Sequence, residues 1–443
     1  MSAIRAPRAY RIETLGCKAN AYDSRRLTEA LEALGWRPAE EQEPADACIL
    51  NTCTVTAVAD RKSRQRAARL AKDNPGARVF VTGCYASASP AALARVPGLA
   101  GVYGRESWKA LLEAINGAPL PADAGQLSGD FGISSFEGRA RAFLKVQEGC
   151  DSFCSYCILP HVRGKPRSRP LTEVRAEAER LASAGFAEIV VTGIHVGLYG
   201  RDLPDRPSLA SALLAVAETP GVERVRLSSI EANEVNEGLV EAMAHPRICA
   251  HLHIPLQSGD PDVLRRMNRA YMPEGFLRVL ELARARLSMP AITTDIMVGF
   301  PGESDAQFER TLAFCRAARF SRAHVFPFSA RPGTAAATMP GRVPSKVVQE
   351  RSRGLRKLAG ELAVEWAESF IGRTERVLFE TCSAARRARS KPPGRGGHLA
   401  GYTERYVRFT ASGSADLLGS VAQVLCTARK GAGLSGRVLD SVE

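Results

Sequence analysis

The sequence predicts an α/β protein in three parts: an N-terminal parallel α/β domain, a central partial (β/α)6 barrel, and a small all-β, OB-like barrel at the C-terminus. Strands and helices alternate over the first hundred residues, and the alternation resumes with six strands after a linker rich in Gly, Pro and Ala. Beyond about residue 370 the pattern is one of short strands. The 443 residues also fit three domains of about 150 residues each.

The N-terminal part is predicted from strands at 9–15, 47–50 and 77–82, separated by helices at 23–34 and 58–72. Each strand runs into a cysteine, and these three residues, Cys17, Cys53 and Cys84, are called the strand-end cysteines below. The carboxyl ends of parallel strands share one edge of a sheet, where ligands bind. We therefore expect the three thiols to meet in one crevice.

The central barrel is predicted from six strands, and helices separate them. The strands are at 142–147, 188–192, 223–228, 251–255, 292–298 and 322–327, and the helices include 172–184, 209–217, 273–286 and 305–318. In such barrels, reactive groups lie on the loops that follow the strands.

The C-terminal part is predicted to be a small barrel of strands at 373–381, 402–410, 420–428 and 436–439. The segment 386–395 within it carries five basic residues among Pro and Gly. Such a segment is either a solvated insertion or a direct RNA contact, and the sequence favours neither.

Charge and composition restrict the class of protein. The chain carries 60 Lys and Arg against 47 Asp and Glu, a formal charge of +13, which favours a polyanionic partner such as RNA, although a basic surface also serves solubility alone. The sequence shows no apolar run of membrane-spanning length and no secretion signal, so we expect a cytoplasmic protein without a membrane partner. In a reducing compartment its 11 cysteines indicate metal binding or chemistry rather than disulfides.

The most informative motif follows the first barrel strand. Cys150, Cys154 and Cys157, called the loop cysteines below, are spaced with three and then two intervening residues. Three thiolates at this spacing can hold an iron–sulfur cubane and leave one iron open. The alternative is a zinc site with His161 as the fourth ligand. The spacing of the loop cysteines together with a barrel is more specific than a zinc motif, and it therefore favours the cluster.

Further motifs occur along the chain. In order they are TLGCKAN, NTCTVT, GCYA, FLKVQEGCDSFCSYCILP, TGIHVGLYG, LSSIEANE, HLHIPLQSGD, MNRAY, TTDIMVGFPGE and GYTERYVRF. With these motifs the chain resembles the radical S-adenosylmethionine methylthiotransferases over essentially its whole length. The resemblance implies a methylthiotransferase domain at 8–118, a linker at 119–137, a radical core at 138–368 and an RNA-binding TRAM domain at 370–441.

The branch of the family is indicated by three of these motifs. TGIHVGLYG, HIPLQSG and MNRAY are most similar to the branch that acts on threonylcarbamoyladenosine in tRNA. The alternatives are the branch acting on isopentenyladenosine in tRNA and the branch modifying a ribosomal-protein side chain. From another class, a non-catalytic RNA-binding iron–sulfur protein or a zinc-stabilised RNA-binding module also remains open.

The resemblance implies that the loop cysteines bind a [4Fe–4S] cluster whose open iron chelates S-adenosylmethionine. One electron would then release a 5′-deoxyadenosyl radical, which takes hydrogen from C2 of the adenine. The strand-end cysteines would hold a second [4Fe–4S] cluster that carries the sulfur, methylated by another S-adenosylmethionine. The implied product is a 2-methylthio group on adenosine 37 of the tRNA anticodon stem-loop. A flavodoxin or ferredoxin would donate electrons, and we expect a monomer.

Five further residues are expected to contact S-adenosylmethionine. Tyr156 precedes the third loop cysteine, and the others follow the second, third and fourth barrel strands. A Ser or Glu at a strand end is equally typical of a helix cap, which leaves that alternative open. The five residues are Tyr156, Gly193, Ser228, Glu231 and Gln257.

Overall fold

The structure is a computed structural model that describes residues 8–121, 132–136, 138–383 and 397–439. The chain divides into two compact units. The first comprises Met1–Ile133, Glu148–Arg169 and Ser329–Ala337, and the second comprises Ser134–Gln147, Pro170–Phe328 and Thr338–Glu443. Within the described ranges, no helix combines the length and the apolar character needed to cross a membrane.

The first unit contains a five-stranded parallel sheet. Its strands are β1 (Ala9–Thr14), β2 (Arg37–Pro38), β3 (Ala47–Thr52), β4 (Arg78–Gly83) and β5 (Leu99–Val102), in the order β2-β1-β3-β4-β5. The three predicted strands are confirmed as the centre of the sheet. β2 and β5 were not predicted, because strands of two and four residues leave no recognisable alternation in the sequence.

Helices cover this sheet on both faces with separate apolar clusters. The first helix begins at Lys18, directly after Cys17, whereas the sequence predicted a start at residue 23. The polar stretch before Leu27 hid its first turn from a reading based on apolar periodicity. The helices of the first unit are Lys18–Ala33, Ala57–Asp73, Cys84–Ala88, Pro90–Ala94, Trp108–Asn116 and Leu159–Arg163, and the two-residue strand β7 (Arg167–Ser168) follows them.

The second unit contains the predicted six-stranded partial barrel. Its strands are β6 (Arg141–Glu148, with Glu148 assigned to the first unit), β8 (Glu188–Gly193), β9 (Arg224–Leu227), β10 (His251–His253), β11 (Ala291–Val298) and β12 (Arg322–Pro327). β6, β8 and β9 pair in parallel, as do β10, β11 and β12. Isolated parallel bridges from Val225 to Ile248 and from Ser229 to His253 join the two groups.

The four predicted helices of this barrel match their predicted bounds within one residue, and the structure adds three that were not predicted, Glu237–Ala242, Pro261–Arg266 and Ser345–Glu368. Apolar periodicity and capping residues determine these ends locally; Ser304 and Gln307, for example, form a capping box. The helices are Leu171–Ser183, Leu209–Ala217, Glu237–Ala242, Pro261–Arg266, Pro273–Arg286, Asp305–Ala318 and Ser345–Glu368.

The C-terminal part is a closed five-stranded barrel, in the order β13-β14-β15-β17-β16. Its strands are β13 (Thr374–Cys382), β14 (Gly397–Thr403), β15 (Arg408–Gly413), β16 (Val421–Lys430) and β17 (Gly433–Val438). The predicted strand at 402–410 is wrong, because these residues form the end of β14, a turn and the start of β15. The basic segment 386–395 lies outside the described residues.

A buried ionic cluster joins the two barrels of the second unit. Glu188 is fully buried and pairs with the guanidinium groups of Arg141, Arg224 and Arg226. Arg224 and Arg226 also donate hydrogen bonds to backbone carbonyls of the C-terminal barrel, between 2.8 and 3.3 Å long, at residues 376, 402, 403 and 404. The two barrels therefore share one buried electrostatic centre.

Candidate functional site

The strand-end cysteines lie after neighbouring strands of the N-terminal sheet. Cys53 and Cys84 directly follow β3 and β4, and Cys17 lies three residues beyond β1. β1, β3 and β4 are adjacent in the sheet and parallel. The predicted placement of all three at the carboxyl ends of parallel strands is therefore confirmed. Cys17 is exposed, whereas Cys53 and Cys84 are buried.

The three thiols are close enough to influence one another. A Cβ atom added to Gly16 would lie 2.9 Å from Cβ and 3.1 Å from Sγ of Cys53, so the residue before Cys17 touches Cys53. Burial raises the pKa of the Cys53 thiol, and the nearby Cys84 and Cys17 thiols raise it further. An iron cofactor binds the deprotonated thiolates, and the positive charge of the iron would offset their mutual repulsion.

Asn20 makes hydrogen bonds to the ends of three neighbouring strands. Its amide nitrogen donates hydrogen bonds to the carbonyls of Leu15 at 2.7 Å and Thr52 at 2.8 Å. Its amide oxygen accepts from the Cys84 thiol at 3.6 Å and also from Arg163. One side chain thus reaches the ends of β1 and β3 and the cysteine that follows β4.

Two arginines and two carboxylates lie beside Cys84. Arg163, whose side chain is fully buried, donates from Nε at 3.3 Å and from Nη2 at 3.2 Å to Cys84 Sγ. Arg163 and Arg105 both pair with Asp23 and Glu148. Burial opposes the charge of Arg163, but Glu148, Cys84 and Asp23 outweigh it and raise its pKa above the usual value.

The loop cysteines lie on a tightly turned segment of the same unit. Cys150 N–H donates to the Gly164 carbonyl at 3.1 Å, and Cys157 N–H donates to the Cys154 carbonyl at 2.9 Å. Gly149 has a φ of +77°, and a Cβ atom there would lie 2.1 Å from the Lys165 carbonyl oxygen. All three loop cysteines are partly exposed, so their thiols are accessible to a cofactor.

The two cysteine triads offer the donor type that iron–sulfur clusters take. In the described part of the chain, no three His, Cys, Asp or Glu side chains converge tightly enough to hold a single metal ion. A cubane is a larger body, and it is bound by thiolates alone. The strand-end cysteines supply three such thiols, beside the N–H donors of a buried guanidinium.

Three of the residues expected to bind S-adenosylmethionine lie at or beyond the ends of strands of the partial barrel: Gly193 ends β8, and Ser228 and Gln257 follow β9 and β10. A Cβ atom on Gly193 would lie 2.8 Å from the Gln147 carbonyl oxygen, so the backbone there tolerates no side chain. Ser228 Oγ and Gln257 Oε1 are buried, and among the described residues neither has a hydrogen-bond partner. Buried polar atoms of this kind fit a polar ligand, because leaving them unpaired costs about 1–3 kcal/mol each. Tyr156 is half-buried in the first unit.

Glu231 is held by a residue of the MNRAY motif. Its carboxylate pairs with Arg269, whose guanidinium also lies 4.8 Å from the ring centroid of Tyr271. The Tyr271 hydroxyl donates to the Pro255 carbonyl and, at 2.9 Å, to the Leu256 carbonyl. Glu231 is the residue before a short 3-10 helix and makes no capping hydrogen bond from its side chain, so the helix-cap alternative is wrong for this residue.

A second polar group lies across three neighbouring barrel strands. Asp295 of β11 contacts His324 Nδ1 at 3.2 Å and His253 Nε2 at 3.4 Å. Burial alone would raise the pKa of Asp295, but the hydrogen bonds from His253 and His324 outweigh it and hold the pKa below its usual range. Thr293 Oγ1 lies 2.9 Å from His253 Nδ1 and 3.1 Å from His251 Nε2, which extends the polar row.

Sequence reasoning missed the residues that surround Cys84. Asn20 lay within the quoted TLGCKAN motif, and Arg163 lies six residues beyond the third loop cysteine. Both were visible as polar residues close to cysteines. Glu148 also lay within a quoted motif, FLKVQEGCDSFCSYCILP, whereas Asp23 and Arg105 left no local signal, since only the fold brings them together.

The fold and the three-cysteine loop define the chain as a radical S-adenosylmethionine protein. The family model described as "Radical SAM superfamily" matches residues 144–315, and the model described as "Uncharacterized protein family UPF0004" matches residues 9–104. Proteins of this superfamily use a [4Fe–4S] cluster and S-adenosylmethionine. The structure of the radical S-adenosylmethionine methyltransferase TsrM from Kitasatospora setae is similar in fold, with a TM-score of 0.57 at 16% identity, and covers 75% of this chain and 74% of that one.

Relatives narrow the class to one family. The chain is 37% identical to the threonylcarbamoyladenosine tRNA methylthiotransferase MtaB of Bacillus subtilis (strain 168), over 93% of this chain and 92% of that protein. It is 40% identical to the tRNA-2-methylthio-N(6)-dimethylallyladenosine synthase of Frankia alni, over 84% of this chain and 77% of that protein. The chain belongs to the tRNA methylthiotransferase family of radical S-adenosylmethionine enzymes, which confirms the resemblance drawn from its motifs.

Proposed function

We propose that the protein adds a 2-methylthio group to N6-threonylcarbamoyladenosine at position 37 of tRNA, beside the anticodon. The observation that carries the proposal is the occurrence of two cysteine triads in one compact unit, one at the ends of three neighbouring strands and the other on a single loop with partly exposed thiols. Two triads are what a reaction with separate radical and sulfur-transfer steps requires.

In this proposal the loop cysteines bind the [4Fe–4S] cluster that, with S-adenosylmethionine, supplies a 5′-deoxyadenosyl radical. The strand-end cysteines hold a second [4Fe–4S] cluster, the source or carrier of sulfur. Asn20 and Arg163 keep Cys84 in place, and Gly149 allows the turn that presents Cys150.

The residues of the second unit would bind and orient S-adenosylmethionine. Gly193 would leave its backbone open to the amino acid part of the molecule. Ser228 Oγ and Gln257 Oε1 would exchange their unpaired state for hydrogen bonds to it. Glu231, fixed by Arg269, would accept from hydroxyl or ammonium groups. Tyr156 would also contact S-adenosylmethionine.

The choice of substrate follows the motifs and the names of relatives. The MtaB protein of Thermotoga maritima is also 38% identical over 91% of this chain. Because relatives named for dimethylallyladenosine match at comparable identity, the first alternative substrate is isopentenyladenosine in tRNA. The second alternative is a ribosomal-protein side chain.

We further propose that the C-terminal barrel binds the anticodon stem-loop, that a flavodoxin or ferredoxin donates electrons, and that the protein acts as a cytoplasmic monomer.

The proposal is tested with anaerobically reconstituted, reduced enzyme, S-adenosylmethionine and two tRNA samples, one carrying each modified adenosine. Mass spectrometry of the nucleosides should show one added methylthio group on threonylcarbamoyladenosine alone. A gain on isopentenyladenosine alone would overturn the substrate and keep the chemistry. If neither nucleoside gains mass while 5′-deoxyadenosine is formed, the acceptor is another molecule, such as a protein.

Matched triple variants separate the two triads. C17A/C53A/C84A should still form 5′-deoxyadenosine and add no methylthio group, whereas C150A/C154A/C157A should form no 5′-deoxyadenosine. Iron and labile sulfide should fall to about half in each variant, in line with cluster ligation by three thiolates. Zinc without labile sulfide in the unsubstituted protein would instead support the zinc-stabilised module, and clusters without 5′-deoxyadenosine would support the non-catalytic protein.

A further inference from the structure

We propose that Arg163 is a positioning residue that holds Cys84 and raises the reduction potential of the second cluster through N–H···S hydrogen bonds. The inference rests on the proposed function in one respect, namely that the strand-end cysteines hold a cluster. It concerns a residue outside both cysteine triads, from the segment that follows the loop cysteines.

The hydrogen bonds are directed at one sulfur atom. Nε and Nη2 of Arg163 lie 3.3 Å and 3.2 Å from Cys84 Sγ, within the range of hydrogen bonds to sulfur. These two atoms form one edge of the planar guanidinium group, so the contact is a fork to a single acceptor. A lysine ammonium at this position would carry the charge without the fork.

The other edge of the guanidinium is fixed by carboxylates. Nη1 lies 3.0 Å and 3.1 Å from the two carboxylate oxygens of Glu148, and 3.4 Å from Asp23. Nη2 also donates to Asn20 Oδ1, the side chain that ties the ends of β1 and β3. Arg163 is thus anchored on both sides and has no freedom to turn away from the sulfur.

Burial strengthens the effect of these hydrogen bonds on the reduction potential of the cluster. The Arg163 side chain is fully buried and Cys84 is 3% exposed, so water does not compete for the sulfur. Hydrogen bonds to cluster sulfurs, together with cluster charge and solvent exposure, set the reduction potential. Reduction adds negative charge to the cluster and its thiolates, and N–H donors stabilise that charge more strongly than the oxidised state. Removing them should make the cluster harder to reduce.

The test uses the C150A/C154A/C157A background, in which only the strand-end cysteines remain as a complete triad. Arg163→Gln and Arg163→Lys are reconstituted anaerobically, and the midpoint potential is measured by a redox titration monitored by electron paramagnetic resonance. Both variants should be reduced at a more negative potential than the parent, and the glutamine variant should show the larger shift. Circular dichroism confirms that each variant is folded.

Arg105→Lys is the matched control. Arg105 pairs with the same two carboxylates, yet within the described ranges no hydrogen bond joins it to a cysteine sulfur. This control variant should keep the parent potential. Loss of iron from both Arg163 variants but not from Arg105→Lys would support the positioning part of the proposal.

Two results would overturn the inference, and one would overturn the proposed function. Equal midpoint potentials in the parent and both Arg163 variants would show that the N–H···S contacts do not influence the cluster. Equal effects in Arg105→Lys would assign the effect to the ionic network instead. If the parent background itself assembles no iron and sulfide, the second cluster does not exist and the proposed function fails.

Discussion

At the scale of single residues, two glycines leave the space in which the strand-end cysteines lie. Gly16 has a φ of +112° and leaves room for Cys53, since a Cβ atom would fall 2.9 Å from the Cys53 Cβ. Gly83, with a φ of +95°, precedes Cys84, and a Cβ atom there would fall 2.6 Å from the backbone of Thr52. Side chains at either position would force the strand ends apart.

We expect Gly16→Ala to weaken the second cluster. The added methyl group displaces Cys53, and changes to the residues that support metal ligands typically cost about 10- to 100-fold in metal affinity. Iron retention during titration with a chelator, in the C150A/C154A/C157A background, measures this loss. Gly35→Ala is the control, because Gly35 also has a positive φ of +80° but has no atom within 4 Å of an added Cβ. Equal iron loss in both variants would contradict the steric explanation.

The cysteines themselves could be predicted from sequence, and their supporting residues could not. Spacing along one short loop identified Cys150, Cys154 and Cys157, and the strand-end rule brought Cys17, Cys53 and Cys84 to one edge. The partners of Cys84 come from separate segments, since Asn20 lies in the first helix and Arg163 lies beyond the loop cysteines. Such contacts depend on the tertiary fold and leave no periodic trace in the chain.

At the scale of elements, strand register aligns the polar row in the barrel. Asp295 is opposite His324 in the ladder of β11 and β12, and His253 is opposite Thr293 in the ladder of β10 and β11. Side chains on the same face of adjacent strands interact. The row Asp295, His253 and His324 is thus a property of the register.

Asp295→Asn should therefore lower stability in a pH-dependent way. The pKa of Asp295 is held below its usual value of about 3.9. The carboxylate contributes stability at pH values above that unfolded-state value, and the contribution is lost as the pH falls through the depressed pKa. The urea midpoints of the variant and the unsubstituted protein should thus differ at neutral pH and converge in strong acid. A difference that is constant with pH would contradict the ionic role.

The turn between β14 and β15 shows why one predicted strand was wrong. Residues 402–410 alternate in a way typical of a strand, but Tyr406 has a φ of +60° and the chain reverses there. The Tyr406 ring stacks on His251 at 5.2 Å and lies 4.7 Å from the Arg226 guanidinium. Contacts with the central barrel, rather than local propensity, stabilise this turn.

Substitution of Glu188 by Gln should destabilise the second unit strongly. Three buried guanidinium groups would lose their shared counter-charge, and breaking a buried ion pair costs about 3–5 kcal/mol. The pKa of Glu188 lies below its usual range, because Arg224, Arg226 and Arg141 outweigh the effect of burial. Urea denaturation at neutral pH measures the change.

Asp73→Asn is a suitable control for that experiment. It breaks the pair between Arg69 and Asp73, whose side chains are 70% and 50% exposed. An exposed pair contributes about 0–1 kcal/mol. If the two variants were equally stable, the ionic cluster at the junction of the barrels would not contribute to the fold.

At the scale of the whole molecule, the net charge of +13 should govern affinity for RNA. Each neutralised phosphate releases counterions, so the logarithm of the binding constant falls linearly with the logarithm of salt concentration. For an anticodon stem-loop, we expect at least about a 10-fold loss of affinity between 50 and 200 mM salt. Fluorescence anisotropy of a labelled stem-loop measures it, and an affinity independent of salt would argue against an electrostatic interface.

The chain assembles its first unit from three separated segments. Arg331, from the segment Ser329–Ala337, donates to Thr54 at 2.7 Å and pairs with Asp60 at 2.6 Å, beside Cys53. Ala336 N–H of the same segment donates to the Ser155 carbonyl at 2.7 Å, between two loop cysteines. One late segment thus contacts residues beside a cysteine of each triad.

The sequence by itself predicted the three parts of the chain, the six parallel barrel strands and the positions of the two cysteine triads, because periodicity, caps and ligand spacing are local. Tertiary structure alone decided which distant residues surround those cysteines and where β14 turns into β15. It also decided that arginines of the central barrel donate hydrogen bonds to the backbone of the C-terminal barrel. The physical reason is that buried hydrogen bonds and ion pairs, such as Arg163 with Cys84, form between residues far apart in the chain, and no local pattern records them.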